Sequence, residues 1–193
     1  ALRQRPEWSE LHITYAQLLL TLGEDADLAL QHLDDASKFG RANPRVVALQ
    51  VNLLAKRGRI AKAREKMLLI PELLRPTLLG RLEAELHLRS DEVSEAFVSA
   101  EKVAVARPDD PSTQVWFARI ARRDKKLDEA ITALRRATEL VPSSLENWTQ
   151  LISLYAQQEK YEELVSVFRE AHLSLDAEFL PTIALGSVFQ RAG

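Results

Sequence analysis

Cysteine is absent from the 193 residues, which excludes disulfides, thiolate metal sites and cysteine nucleophiles. A Cys-free chain suits the cytosol and the periplasm equally, so no compartment follows from this. Glycine is scarce, with 6 residues, and no phosphate-cradling Gly loop occurs. No apolar run reaches the length of a membrane span, and no membrane insertion is expected. The first residues, Ala1-Leu2-Arg3-Gln4-Arg5, lack the apolar segment of a signal peptide. The chain starts without Met and reads as a fragment of a longer protein. An excess of one charge is also missing. The 26 basic and 28 acidic residues leave a net charge of −2, too balanced to hold a nucleic-acid backbone by itself.

The composition is 46% apolar and 28% charged, as expected for a folded, helix-dominated chain and not for a disordered one. Self-similarity at a fixed period is the leading signal. Lys125-Lys126-Leu127-Asp128-Glu129-Ala130 recurs 34 residues later as Glu159-Lys160-Tyr161-Glu162-Glu163-Leu164. Pro108 and Pro142 share that spacing, and each precedes a polar stretch and a helix bearing Trp116-Phe117 or Trp148. First helices are expected near 10–22, 44–57, 77–89, 111–123, 145–157 and 179–192, and second helices near 26–39, 59–70, 92–106, 126–140 and 160–173.

A 34-residue helix–turn–helix period resembles the tetratricopeptide repeat. The likeness is carried by Trp148, Leu151, Tyr155, Leu164, Phe168 and Ala171 in the fifth unit, with Ile152 at a usually small position. In the fourth it rests on Phe117, Ala118, Ala121, Ala130, Leu134, Ala137 and Pro142, with Gln114 where the family often has Trp. Ala84, Ala96 and Pro108 carry it in the third, where Gly80, Glu83 and His87 depart. Upstream the register slips by about a residue. Tyr15, Ala16 and Leu19, the turn at Gly23, then Ala29, Leu33 and Ala36 make one hairpin. Asn43-Pro44, Gly58, Ala63 and Met67 outline the next, with Gln50 where a core Leu is expected and Pro71 and Pro76 interrupting the second helix.

The resemblance implies an all-α, right-handed superhelical solenoid of antiparallel hairpins. Its units would run approximately 9–43, 44–76, 77–110, 111–144 and 145–178, with a partial sixth at 179–193. Within a hairpin, small residues such as Ala118 and Ala130 let the backbones approach, and Phe117, Leu134 and Phe168 fill the gap to the next pair. One hairpin cannot bury its second face alone, so stacking is required. The half-unit's Ile183, Val188 and Phe189 would need cover, either from another copy of the chain or from further sequence.

No catalytic residue, metal site or cofactor is expected. His12, His32, His87 and His172 read as singletons on different hairpins, without a His or carboxylate partner at zinc spacing. Asp34-Asp35, Asp109-Asp110 and Glu162-Glu163 read as turns or exposed helix faces, and Ser143-Ser144 as helix caps with Glu146 in the first turn.

What the resemblance implies instead is a scaffold or adaptor for protein–protein interaction, with first helices lining a concave groove. The family's groove positions correspond here to Asn52, Arg81, Glu85, Val115, Trp116, Arg119, Arg122, Arg123, Gln150 and Ser153. Trp116 stands off the family's structural Trp position and reads as an aromatic anchor. The arginines would pair with an acidic or C-terminal peptide segment. The residue set with which some members clamp a chaperone tail is not carried, since Asn52 is its only matching Asn. The Ala/Leu/Arg-rich style reads as bacterial, as in an export or cell-envelope assembly. The alternative is an RNA-binding helical repeat. Its equivalent positions change from Ala48 and Asn52 to Arg81 and Glu85, Val115 and Arg119, then Thr149 and Ser153, so no base code is legible and no nucleic acid is expected.

Overall fold

The computed structural model describes residues 7–40 and 43–175. Among them are eleven α-helices, one 3-10 turn and no strand. The helices are α1 (Ser9–Leu22), α2 (Ala26–Phe39), α3 (Pro44–Lys56), α4 (Ile60–Met67), α5 (Arg75–Leu78), α6 (Gly80–Arg89), α7 (Val93–Ala106), α8 (Pro111–Arg123), α9 (Leu127–Leu140), α10 (Leu145–Gln157) and α11 (Tyr161–Leu175), with the 3-10 turn at Glu72–Leu74. The expected all-α architecture of antiparallel hairpins is what forms. The expected half-unit at 179–193 lies outside the described residues. The chain divides into two compact units, one ending at Leu86 and the other beginning at His87.

In the first unit α1 pairs with α2, α3 pairs with α4, and α2 packs on α3. Leu33, Val51, Ile70 and Leu86 are fully buried there. Gln50, where a core Leu was expected, is itself buried and donates from Nε2 to Asp34 Oδ1 at 2.8 Å. Two expectations fail in this unit. The second helix, expected to reach 70, ends at Met67 because Pro71 lies beyond it. The chain then turns with Ile70 buried, and Arg75 Nε caps the Ile70 carbonyl at 2.9 Å. The helix expected over 77–89 is split. Leu79 leaves the helical region (φ −135°, ψ 0°), so α5 stops and α6 begins at Gly80.

In the second unit α7 through α11 stack in series, each against the next. Val103, Leu134, Leu151, Leu154 and Val167 are fully buried, each contributing roughly 1.5–3 kcal/mol relative to exposure.

One closure recurs throughout. The first or second residue after each described first helix sits in the left-handed region: Gly23 (φ 70°), Gly58 (72°), Asp91 (61°), Lys125 (61°) and Glu159 (56°). The next residue's N–H reaches back five residues to the helix: Glu24 to Leu19 O, Arg59 to Leu54 O, Glu92 to His87 O, Lys126 to Ala121 O, Lys160 to Tyr155 O. This is the Schellman arrangement that satisfies orphan carbonyls. Gly adopts it freely, whereas Asp91, Lys125 and Glu159 bear a steric cost of about 1 kcal/mol each. Seven residues before each closure stand Ala16, Val51, Ala84, Ala118 and Ile152, and five or six after it stand Ala29, Ala63, Ala96, Ala130 and Leu164, all of them buried.

Polar capping ends the loops. Asp110 caps α8, accepting from Ser112 N at 3.0 Å, Ser112 Oγ at 2.8 Å and Thr113 Oγ1 at 2.6 Å. Ser144 caps α10 through Asn147 N at 3.3 Å, as read from the sequence, while Ser143 does not. Donation from the Thr113 hydroxyl first, then from Ser112, holds the Asp110 carboxyl at about 2, below its ordinary 3.8.

Two outcomes are expected. Ala130 is fully buried, so Ala130→Leu should lower stability in urea unfolding by about 1–3 kcal/mol through overpacking. Asp110→Ala should cost about 1 kcal/mol at neutral pH. Because the folded carboxyl titrates below the unfolded one, its contribution is present above the ordinary value of 3.8 and is lost as the pH falls toward about 2. The gap between the wild-type and Asp110→Ala urea midpoints should therefore shrink across that window.

Candidate functional site

α8 begins where Asp110 caps it and Pro111 enters its first turn, a position at which no N–H is needed. Thr113, Gln114, Phe117, Ala118, Ile120 and Ala121 are buried. Gln114 takes the place that Trp148 holds on α10. The Trp148 indole donates from Nε1 to Pro142 O at 2.8 Å, and Gln114 Nε2 donates to Ala104 O, Arg107 O and Pro108 O at 3.3–3.4 Å. A shorter polar side chain thereby reproduces the tie between the first helix and the preceding loop.

What remains on α8 is a row with helical spacing. Val115 and Trp116 are half-buried, and Arg119, Arg122 and Arg123 are exposed. These positions are three and four residues apart, so they share one side of the helix. None of the three arginines makes an ion pair among the described residues. Basic groups on the second helices and the following turn behave otherwise. Arg136 bonds Asp109 at 2.6 Å and Glu139 at 2.9 Å, Arg135 meets Glu170 at 3.6 Å and the Tyr155 hydroxyl at 2.8 Å, and Lys160 meets Asp128 at 2.8 Å.

The remaining expected groove residues are distributed as follows. Gln150 is half-buried on α10 and donates to Glu146 Oε1 at 3.1 Å, and Ser153 is exposed on the same helix. Asn52, Arg81 and Glu85 belong to the first unit. Asn52 spends its amide on Ala48 O of its own helix at 2.9 Å, while Arg81 and Glu85 are exposed on α6. An apolar cleft of about 540 Å³, walled by Ala104, Val105 and Pro108 after and along α7, Phe117 of α8, and Thr132 and Ala133 of α9, was not foreseen from the sequence.

The histidine reading is overturned. His12 and His32 lie on one hairpin, α1 and α2, with their Nδ1 atoms 2.9 Å apart. Asp35 stands one turn beyond His32, and a ligating atom from each of the three lies within 4.8 Å of the others. His87 also has a carboxylate partner, Glu92 Oε2 at 2.6 Å. Sequence separation hid the first pair, because only the turn at Gly23 brings residues 12 and 32 together. The acidic pair Asp34-Asp35 is likewise half-buried on α2, with Asp34 accepting from Gln50 and from Lys66 at 2.8 Å. Burial, then the neighbouring His12, holds His32 below the ordinary imidazole value, with Asp35 opposing. No described helix is long and apolar enough to cross a membrane.

Residues 90–171 match the family model described as anaphase-promoting complex, cyclosome, subunit 3. No curated protein matches the sequence. Among solved structures, the chain is similar to YrrB, a TPR protein with an unusual peptide-binding site, at 17% identity and a TM-score of 0.68 over 97% of this chain and 95% of that one. MamA 41-end from Desulfovibrio magneticus RS-1 aligns at 18% identity and 0.64 over 86% and 94%. Pseudomonas aeruginosa pilF aligns at 16% identity and 0.67 over 100% and 85%. At these identities the likeness is one of fold. Taken with the 34-residue spacing of Asp91, Lys125 and Glu159, it gives this chain the fold of tetratricopeptide-repeat proteins.

Proposed function

We propose that this chain is a protein-interaction scaffold whose second unit receives an acidic peptide segment along α8, with Trp116 as the apolar anchor. The fold is of a kind used as a non-enzymatic scaffold, and repeats of this kind bind through extended surfaces. The observation that carries the reading is the arginine trio. Arg119, Arg122 and Arg123 are exposed within little more than one turn and have no ion-pair partner among the described residues. Like charges so placed repel one another, and the repulsion is relieved when carboxylates arrive. They also complement the carbonyl end of α8, but a guanidinium fork has further donors that suit a carboxylate in bidentate fashion. Exposed pairs contribute little one at a time, so affinity also needs apolar contact, and half-buried Trp116 offers its ring beside the trio. Gln150 and Ser153 of α10 supply neutral polar groups for a peptide backbone. Asn52, Arg81 and Glu85 would offer polar groups of their own on the first unit. The peptide-binding site described for YrrB supports a peptide as the ligand. Composition and the bacterial sources of the pilF and MamA structures favour a bacterial export or cell-envelope assembly as the setting.

The test is fluorescence titration of the chain with acidic peptides ending in a free carboxylate and bearing one aliphatic or aromatic residue. Binding should weaken as salt rises. Trp116→Ala should cost about 2 kcal/mol of binding free energy, and Arg122→Glu should also weaken binding, with the helical circular dichroism unchanged in both variants. Affinity indifferent to both substitutions, or preference for single-stranded RNA over the peptides, would reject the α8 surface as the receptor.

A further inference from the structure

The first hairpin carries a side-chain cluster that has no part in the α8 surface. His12 stands eleven residues before Gly23, as Gln114 and Trp148 stand eleven before Lys125 and Glu159. In those two hairpins the polar tip of the residue at this place turns to backbone carbonyls of the preceding loop. In the first hairpin Nδ1 of His12 faces Nδ1 of His32 at 2.9 Å, and the carboxylate of Asp35 completes a group whose ligating atoms lie within 4.8 Å of one another. His12 is 5% exposed, and His32 and Asp35 are half-buried.

We propose that His12, His32 and Asp35 form a three-ligand site for a borderline divalent transition metal, with zinc as its representative, that clips α1 to α2. The imidazole pair is close to what such an ion needs, and the Asp35 carboxylate, within 4.8 Å, has to swing in to join it. Two imidazole nitrogens on a tetrahedral zinc, each about 2.0–2.1 Å from the metal, stand roughly 3.3–3.4 Å apart. The observed 2.9 Å therefore has to open by only a few tenths of an ångström. His32 and Asp35 are three residues apart and share one face of α2, while His12 reaches across from the antiparallel helix. Ligands projected at i and i+3 from one helix and met by a facing helix are how helical bundles build metal centres. Two imidazoles and one carboxylate without sulfur suit zinc, nickel, cobalt or copper(II), whereas magnesium and calcium call for oxygen ligands throughout. Three protein ligands leave a fourth position for water or for a donor from a partner.

The surroundings hold the rings in place. Tyr15 meets the His32 ring edge-on at a centroid distance of 4.7 Å, and Phe39 lies 6.0 Å from the His12 ring. Lys38 Nζ contacts Asp35 Oδ1 at 3.2 Å, from a side chain that is 69% exposed. An exposed i, i+3 pair is a weak competitor, and the carboxylate has a second oxygen, so Lys38 can orient Asp35 from outside the coordination shell.

The experiment uses the intact chain, stripped with chelator and desalted. Zinc chloride titrated calorimetrically should bind at one site per chain and raise the thermal midpoint, whereas magnesium should do neither. Cobalt(II) should give the visible absorption of a low-symmetry nitrogen–oxygen site and be displaced by zinc. His32→Asn and Asp35→Asn, both at half-buried positions, should each weaken zinc binding at least tenfold with helical content intact, while His172→Asn should leave it unchanged. His12→Asn adds a third arm, read only if that variant folds. Absence of stoichiometric zinc binding, affinity unchanged in both His32→Asn and Asp35→Asn, or loss of binding in His172→Asn would overturn the proposal.

Discussion

Each described first helix is closed by one residue held in the left-handed region, and the rest of the described fold follows from that reversal. The closure turns the chain back on itself within a few residues, so the next helix starts antiparallel and in a set register. Register then decides which positions face inward. The residues seven before and five or six after the closure are buried, and most of them are Ala, the side chain that lets two backbones approach. Larger residues such as Leu134 and Leu151 are thereby turned to the neighbouring hairpin, where their burial supplies the stacking energy that a single hairpin lacks.

Because the backbone carries this geometry, side chains at equivalent places differ in chemistry without disturbing it. Ser94 donates to Asp124 at 3.0 Å, and 34 residues on, Gln158 donates back to Asp128 at 3.4 Å, so donor and acceptor have exchanged helices while the link persists. Lys160 joins that second link, and its hydrogen bond, then that of Gln158, holds the Asp128 carboxyl below its ordinary range. Gln114 and Trp148 reach loop carbonyls with unrelated side chains. His12 occupies the same place in the first hairpin but meets a second histidine. A position whose architectural task is to bury a polar-tipped side chain becomes, by that one change, a candidate ligand site.

Charge is sorted in the same way. Arg135, Arg136 and Lys160 of the second unit are tied into ion pairs, several of them between hairpins, and so belong to the scaffold. Arg119, Arg122 and Arg123 on a first helix are left out of those ties among the described residues, which is why α8 is the surface proposed for binding in a protein whose net charge is only −2.

Much of the fold was legible in one dimension because a 34-residue period projects three-dimensional equivalence directly onto spacing. Pro108 with Pro142, and Ala130 with Leu164, are enough to set helix type, order and register in the second unit. The same spacing marked Trp116 and the arginines as lying on one helix, yet whether an arginine is already paired depends on side chains from other helices, and only the tertiary structure decides that. Where local strain replaces period, sequence reading falters. The early end of α4 at Met67 reflects the turn made by Ile70, Pro71 and Arg75, the break at Leu79 has no signal in the period, and the left-handed Asp91, Lys125 and Glu159 carry no glycine to announce them. The His12–His32–Asp35 cluster is the clearest case. Twenty residues of chain separate its two histidines, and their meeting is a consequence of the antiparallel turn at Gly23 and the register it imposes, which no local motif encodes.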